Sequence, residues 1–171
     1  SNIGMTYHYM VKNDKAIENL EKALAIRKEA LGEGDPVTIA TMINIANVYI
    51  VTDKNEDAMN MLNKALETAK EKLGENHPAM ALIYNSLGLS YFQARKISDA
   101  ISNLQKAFSI AKTKLGDKHP ETATIMNNIG VVNDKQKKYK QALEILQKAL
   151  AIRQQKLGEN HPHVADTMTN I

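Results

Sequence analysis

A hexapeptide that returns on a fixed period limits what this chain can fold into more than any other feature. Leu73-Gly74-Glu75-Asn76-His77-Pro78 recurs unchanged as Leu157-Gly158-Glu159-Asn160-His161-Pro162, 84 residues later, and Leu115-Gly116-Asp117-Lys118-His119-Pro120 lies midway. A worn copy, Leu31-Gly32-Glu33-Gly34-Asp35-Pro36, stands one step earlier, so the period is 42 residues with no insertion or deletion. Self-similarity on a period of about 20–50 residues means a solenoid, a propeller or an array of supersecondary units. Each copy reads as a helix end, a short loop and a helix start. Gly follows the last apolar residue, where a left-handed C-cap costs least. Pro sits in the first helical turn, where its missing N–H goes unneeded. His77, His119 and His161, or Asp35, then fall at the N-cap; Asp is a good cap and His a weak one.

Between two such marks lie two helices. The apolar spacing from Ala79 to Phe92 suits a helix of about 16 residues with one broad apolar face, helix A. Gln93-Ala94-Arg95-Lys96 is a polar turn. Helix B is expected from about Ile97 to Leu115, with Ala100, Leu104, Ala107, Phe108 and Ala111 on one stripe. The columns repeat across units. Gly4, Ala46, Gly88 and Gly130 are all small, as are Ala16, Ala58, Ala100 and Ala142, and Ala23, Ala65, Ala107 and Ala149. Leu20, Leu62, Leu104 and Leu146 form a large apolar column. Tyr7, Tyr49 and Tyr91 form an aromatic one, read as core and broken by Asn133. Small residues let helices approach and large ones fill the space between, because each unit buries the same face against its neighbour.

Met42, Ile45-Ala46, Tyr49, Ala58, Leu62 and Ala65 together resemble the tetratricopeptide repeat. The ordinary repeat has 34 residues; the longer helix B and the Leu-Gly-x-x-His-Pro linker make this one similar to the 42-residue repeats of kinesin light chains. Met126-Asn127-Asn128-Ile129-Gly130 and the recurring Lys-Ala-Leu-Ala-Ile-Arg at 22–27 and 148–153 carry the same resemblance. It implies an all-α, right-handed superhelical solenoid of antiparallel helix pairs. One array over 1–171 is expected, with units at about 1–35 (partial), 36–77, 78–119, 120–161 and 162–171 (partial). Residues 1 to about 11 read as the second half of a helix A, Lys12-Asn13-Asp14-Lys15 as its turn, and 163–171 as the first half of another helix A. The chain opens Ser1-Asn2 with no initiator Met and neither end has a capping repeat's polar face, so a piece of a longer array is expected.

Composition removes several classes of function. There is no cysteine, hence no disulfide, thiolate zinc site or cysteine nucleophile. No apolar run approaches the 18 residues of a membrane span. The net charge of +3, from 22 basic and 19 acidic residues, is too balanced to imply nucleic acid. The densest basic run, Lys135-Gln136-Lys137-Lys138-Tyr139-Lys140, reads as a solvated turn, with contact to an anionic partner as the alternative. His77, His119 and His161 stand about 20 Å apart on successive units, two helix spacings, and cannot share one ion; only His161 and His163 are close enough to do so. No carboxylate pair, phosphate loop or Ser-His-Asp pattern has supporting context. A non-catalytic, cytoplasmic protein with no cofactor and no metal is expected.

The recurring asparagines are the informative polar set. Asn44, Asn85, Asn127 and Asn128 lie within helix A, where Asn is a poor helix former. In tetratricopeptide arrays the inner face of helix A lines a concave groove, and the resemblance implies that Asn there bonds the backbone of an extended peptide through its paired donor and acceptor. The alternative is that these side chains bond between neighbouring helices and hold the stack. Projecting the same face gives the candidate groove: Ile43, Asn44, Asn47 and Ile50; Asn85, Leu89 and Phe92; Asn127, Asn128, Val131 and Lys135. Phe92 is assigned to the groove because Tyr91 is taken to fill the core. The cations of a carboxylate clamp are missing, since the matching positions are Ala40, Leu82 and Thr124, and Asn44, Ser86 and Asn128. The reading is an interaction scaffold for a peptide or partner protein, with self-assembly through open ends as the alternative.

Overall fold

The computed structural model describes residues 2–171, with side chains from Asn13 onward. Asn2, Gly4, Tyr7 and His8 therefore lie outside the residues whose side chains are described. The described residues form eight α-helices and no strand, an all-α repeat fold. They divide into two compact units, residues 1–75 and 76–171. The first holds α1 (Asn2–Leu31), α2 (Pro36–Val51) and α3 (Asn55–Leu73). The second holds α4 (Pro78–Gln93), α5 (Ile97–Lys114), α6 (Pro120–Lys135), α7 (Tyr139–Leu157) and α8 (Pro162–Thr169). Helices A are α2, α4, α6 and α8; helices B are α3, α5 and α7.

The repeated hexapeptide acts as its chemistry demands. Gly74 and Gly158 end their helices at φ +86°, a left-handed backbone open to glycine. At the next helix start, Asp35 Oδ1 accepts the Val37 N–H at 2.8 Å. His77, His119 and His161 do the same through Nδ1, accepting from Ala79, Glu121 and His163 at 3.2, 3.1 and 3.2 Å. An imidazole Nδ1 thus takes the place of a carboxylate oxygen in three of the four caps.

The A–B turns need a left-handed residue as well, supplied by Asp53, Arg95 and Lys137 at φ +60°, +61° and +61°. The next N–H then closes the turn, from Lys54 to Tyr49 O, Lys96 to Tyr91 O and Lys138 to Asn133 O, each at 2.9 Å. This explains one departure from expectation. The turn expected at Lys12–Lys15 does not form, and α1 runs unbroken from Asn2 to Leu31. The residue 42 before Asp53 is Val11. A β-branched side chain is an outlier in left-handed backbone, so helix continues where the other units turn.

Within the first unit, Ile39, Met42, Ile45 and Ala46 of α2 bury fully or nearly so, as do Ala58, Leu62, Ala65 and Ala69 of α3. In the second, Ala81, Leu104, Ala107, Ala111, Ile125, Ile129 and Val132 form one core cluster. The small column is required by contact. A Cβ on Gly88 would stand 2.7 Å from Leu104 Cγ, and one on Gly130 only 2.5 Å from Leu146 Cγ. Each glycine thereby admits a fully buried leucine, worth about 1.5–3 kcal/mol of apolar burial.

Candidate functional site

The asparagine column pairs helices A side by side within the second unit. Asn128 Nδ2 on α6 donates to Asn85 Oδ1 on α4 at 2.8 Å. Asn170 Nδ2, just past α8, donates to Asn127 Oδ1 on α6 at 3.1 Å. The partners are 43 apart rather than 42, so each bond slants from one column to the next. The amides do link neighbouring helices, as the stack-holding alternative requires. An amide has two edges, however, and these bonds leave Asn85 Nδ2 and Asn128 Oδ1 unconsumed.

The remaining candidates separate by burial. Ile43 and Ile50 are 5% exposed and Asn127 is 8% exposed. Asn85, Leu89, Phe92, Asn128 and Val131 are half-buried, while Asn44, Asn47 and Lys135 are exposed. Leu89 and Val131 occupy one column of α4 and α6, beside the Asn85–Asn128 bond.

Phe92 corrects the reasoning that selected it. Tyr49 and Tyr91 do not fill the core; both are half-buried. Tyr49 donates to Glu21 Oε1 at 3.4 Å, and burial, then the Glu21 carboxylate, raises its hydroxyl above the ordinary tyrosine value. It is Phe92 that packs against the core cluster. Phe92 lies one helical turn beyond Gly88, on the face that meets α5. Its outer edge, with Gln93, Arg95, Ile97 and Lys135, lines a cleft of about 540 Å³. The structure thus brings Phe92 and Lys135 together, beside a second cation that sequence reasoning left in the turn.

Comparison with known proteins settles the family. The tetratricopeptide repeat family model matches residues 1–71, 44–113 and 79–155. The chain belongs to the tetratricopeptide repeat family. A search of curated proteins finds no match. Among solved structures, BtubC (BKLC) from P. vanneervenii superposes with TM-score 0.75 at 20% identity, over 92% of this chain and 63% of that one. A structure described as a Podosopora anserina kinesin light chain with nearly identical TPR-like repeats gives TM-score 0.69 at 20% identity, over 99% and 80%. Aspartyl phosphate phosphatase F from Bacillus subtilis gives 0.67 at 21%, over 85% and 38%. At these identities the likeness is one of fold, and this chain spans under two thirds of the length of the first of them.

Within this tetratricopeptide array, one buried group escaped the sequence reading. Arg153 of α7 is 3% exposed. Its Nη1 donates to His163 O at 2.8 Å and Thr167 Oγ1 at 2.6 Å, and its Nη2 to Thr124 Oγ1 at 3.1 Å, joining α6, α7 and α8. Arg27 bonds Thr41 in the same way in the first unit. The signal was in the columns: Arg27 faces Thr41, Ala111 packs with Ile125, and Arg153 faces Thr167. Arginine pairs with threonine, alanine with isoleucine. Burial pulls the Arg153 guanidinium below its ordinary value, opposed by the Asp166 and Glu121 carboxylates.

The histidines serve as caps. The His161 and His163 rings lie 5.1 Å apart and tilted by 44°. His161 Nδ1 accepts a backbone N–H, and His163 Nδ1 faces Asp166 Oδ2 at 3.2 Å. Among the described residues no three ligating side chains gather at one point. No described helix is long and apolar enough to cross a membrane. In the basic run, Lys135, Lys137, Lys138 and Lys140 are all exposed.

Proposed function

We propose that this chain is a non-catalytic, cytoplasmic interaction scaffold. It binds a peptide or partner protein along its helix-A faces, the concave side in a tetratricopeptide array. The asparagine pairing carries the reading. Each bond holds two helices A at a set spacing and leaves amide edges of the same residues available to a ligand backbone. Half-buried Leu89 and Val131 beside them offer apolar contact, and Phe92 with Lys135 closes one end of the face. Because Asn85, Asn127 and Phe92 also hold the fold together, the test uses exposed members. A photo-crosslinking residue at Asn44 or Lys135 is expected to capture a partner from extract, while the same residue at Glu67 or Lys106 on helices B is not. Equal capture from the helix-B positions would overturn the assignment.

Self-association is the second reading, favoured by exposed apolar side chains of the second unit: Tyr139 and Leu143 on α7, and Met168 and Ile171 at and beyond α8. Light scattering of the wild type against Tyr139→Ser/Leu143→Glu tests it. A concentration-dependent mass lost in the double variant supports it, and a monomer at all concentrations removes it.

A further inference from the structure

The second unit carries another recessed surface, built mainly from helices B, with one floor residue from helix A α6. Phe108 of α5, Met126 of α6 and Ile152 of α7 form its floor, and Lys112, Lys118 and Lys148 stand on its rim. It encloses about 470 Å³, within the span of about 300–1,000 Å³ usual for ligand pockets. Phe108 and Ile152 pack against the buried cluster of Ala123, Met126 and Ala149. The floor is therefore an extension of the core and is held in place without a ligand.

The charge around this floor is one-sided. Asp117 is the single carboxylate lining it, and an adjoining depression that shares Asp117 and Lys118 adds Lys156. Lys112 pairs with Asp117 at 3.5 Å and Lys148 with Glu144 at 2.7 Å, both exposed pairs. Exposed pairs of this kind are weak and yield to a competing carboxylate. No ion pair of Lys118 is seen among the described residues. This junction also departs from the repeat. Phe108 stands in a column otherwise of Leu24, Leu66 and Leu150, and Lys118 in one of Gly34, Asn76 and Asn160. Stacking is satisfied by leucine and by a small or neutral residue elsewhere, so stacking does not account for the aromatic and the added cation here.

We propose that this cleft docks an acidic segment of a partner protein, which seats an apolar side chain on Phe108, Met126 and Ile152 and sets flanking carboxylates against Lys112, Lys118 and Lys148. The proposal goes beyond the helix-A reading and does not depend on it. A fluorescein-labelled synthetic peptide in which glutamates flank a leucine–phenylalanine pair serves as probe, read by fluorescence anisotropy at low ionic strength. Ala151, exposed on the lining, and Lys118 are positions whose substitution leaves the core intact. Ala151→Glu and Lys118→Glu should each weaken binding about tenfold, as should glutamine in place of the peptide's glutamates. Raising the salt should weaken it further. Lys22→Glu, on exposed α1 surface of the first unit, should leave the affinity within about twofold. Circular dichroism reports that each variant is folded. Absence of binding, indifference to Ala151→Glu and Lys118→Glu, or loss in Lys22→Glu would each overturn the proposal.

Discussion

Arg153→Ala offers the sharpest test of how these repeats are joined. Arg153 keeps its charge at neutral pH although it is 3% exposed. Two of its three hydrogen bonds end on α8, at His163 O and Thr167 Oγ1, and the third on Thr124 of α6. Its Nε is buried without a partner. A bond to a charged group contributes about 1.5–3 kcal/mol, but removing the guanidinium also removes its desolvation cost. The net loss expected is then about 2–4 kcal/mol. An eight-residue helix does not persist without its packing, so the loss should appear as opening of α8. Hydrogen exchange at the amides from Val164 to Thr169 should quicken by about 30- to 1,000-fold. Amides of α4 should not change, because stacking acts between nearest neighbours. The α5–α6 junction suggests the rescue. There the same columns hold Ala111 and Ile125, both fully buried. Arg153→Ala/Thr167→Ile rebuilds that pair and should recover at least half of the loss, whereas Thr167→Ile alone strands the guanidinium and should destabilise. Unchanged α8 exchange in Arg153→Ala, or strictly additive losses in the double variant, would refute the reasoning.

Three further outcomes are expected. Gly130→Ala places a Cβ 2.5 Å from Leu146 Cγ and should cost about 1–3 kcal/mol by chemical denaturation, with part recovered by Leu146→Val. His77→Asp should raise stability by about 0.5–1 kcal/mol, since a carboxylate caps better and favours the helix N-terminus; α4 has no acidic residue in its first turn, and a lower melting temperature would count against the imidazole cap. Hydrogen bonding and charge from Lys28, then charge from Lys64, hold the Glu33 carboxyl below the ordinary glutamate value. Its contribution, small because the group is exposed to solvent, is present above the unfolded-state pKa and lost as pH falls through the lowered one. Carboxyl NMR should show Glu33 titrating higher once Lys28→Ala is made.

The helix limits were legible because their signals are local. The expected helix from Ile97 to about Leu115 is observed as Ile97–Lys114, preceded by left-handed Arg95 and followed, after Leu115, by positive-φ Gly116, signals that need no tertiary information. The same local rule accounts for the one missed boundary: Val11 could have been compared with Asp53, Arg95 and Lys137, and only the left-handed φ at those three shows why the comparison matters. Burial was harder. Tyr91 and Phe92 are adjacent, both aromatic, and both flank the apolar stripe, so periodicity does not choose between them; contact with α5 does.

What the sequence determined by itself is the unit and its punctuation, since a 42-residue period with Gly, His and Pro at fixed phase specifies backbone torsions and capping bonds within a few residues of each other. What only the tertiary structure decided is how side chains far apart in the chain are matched. Asn85 meets Asn128 across a slanted step of 43 residues, Arg153 reaches from α7 to two further helices, and Phe108, Met126 and Ile152 gather under a rim of lysines. Such matches depend on how neighbouring helices are offset and rotated, a geometry set by the summed packing of whole faces, and no single column encodes it.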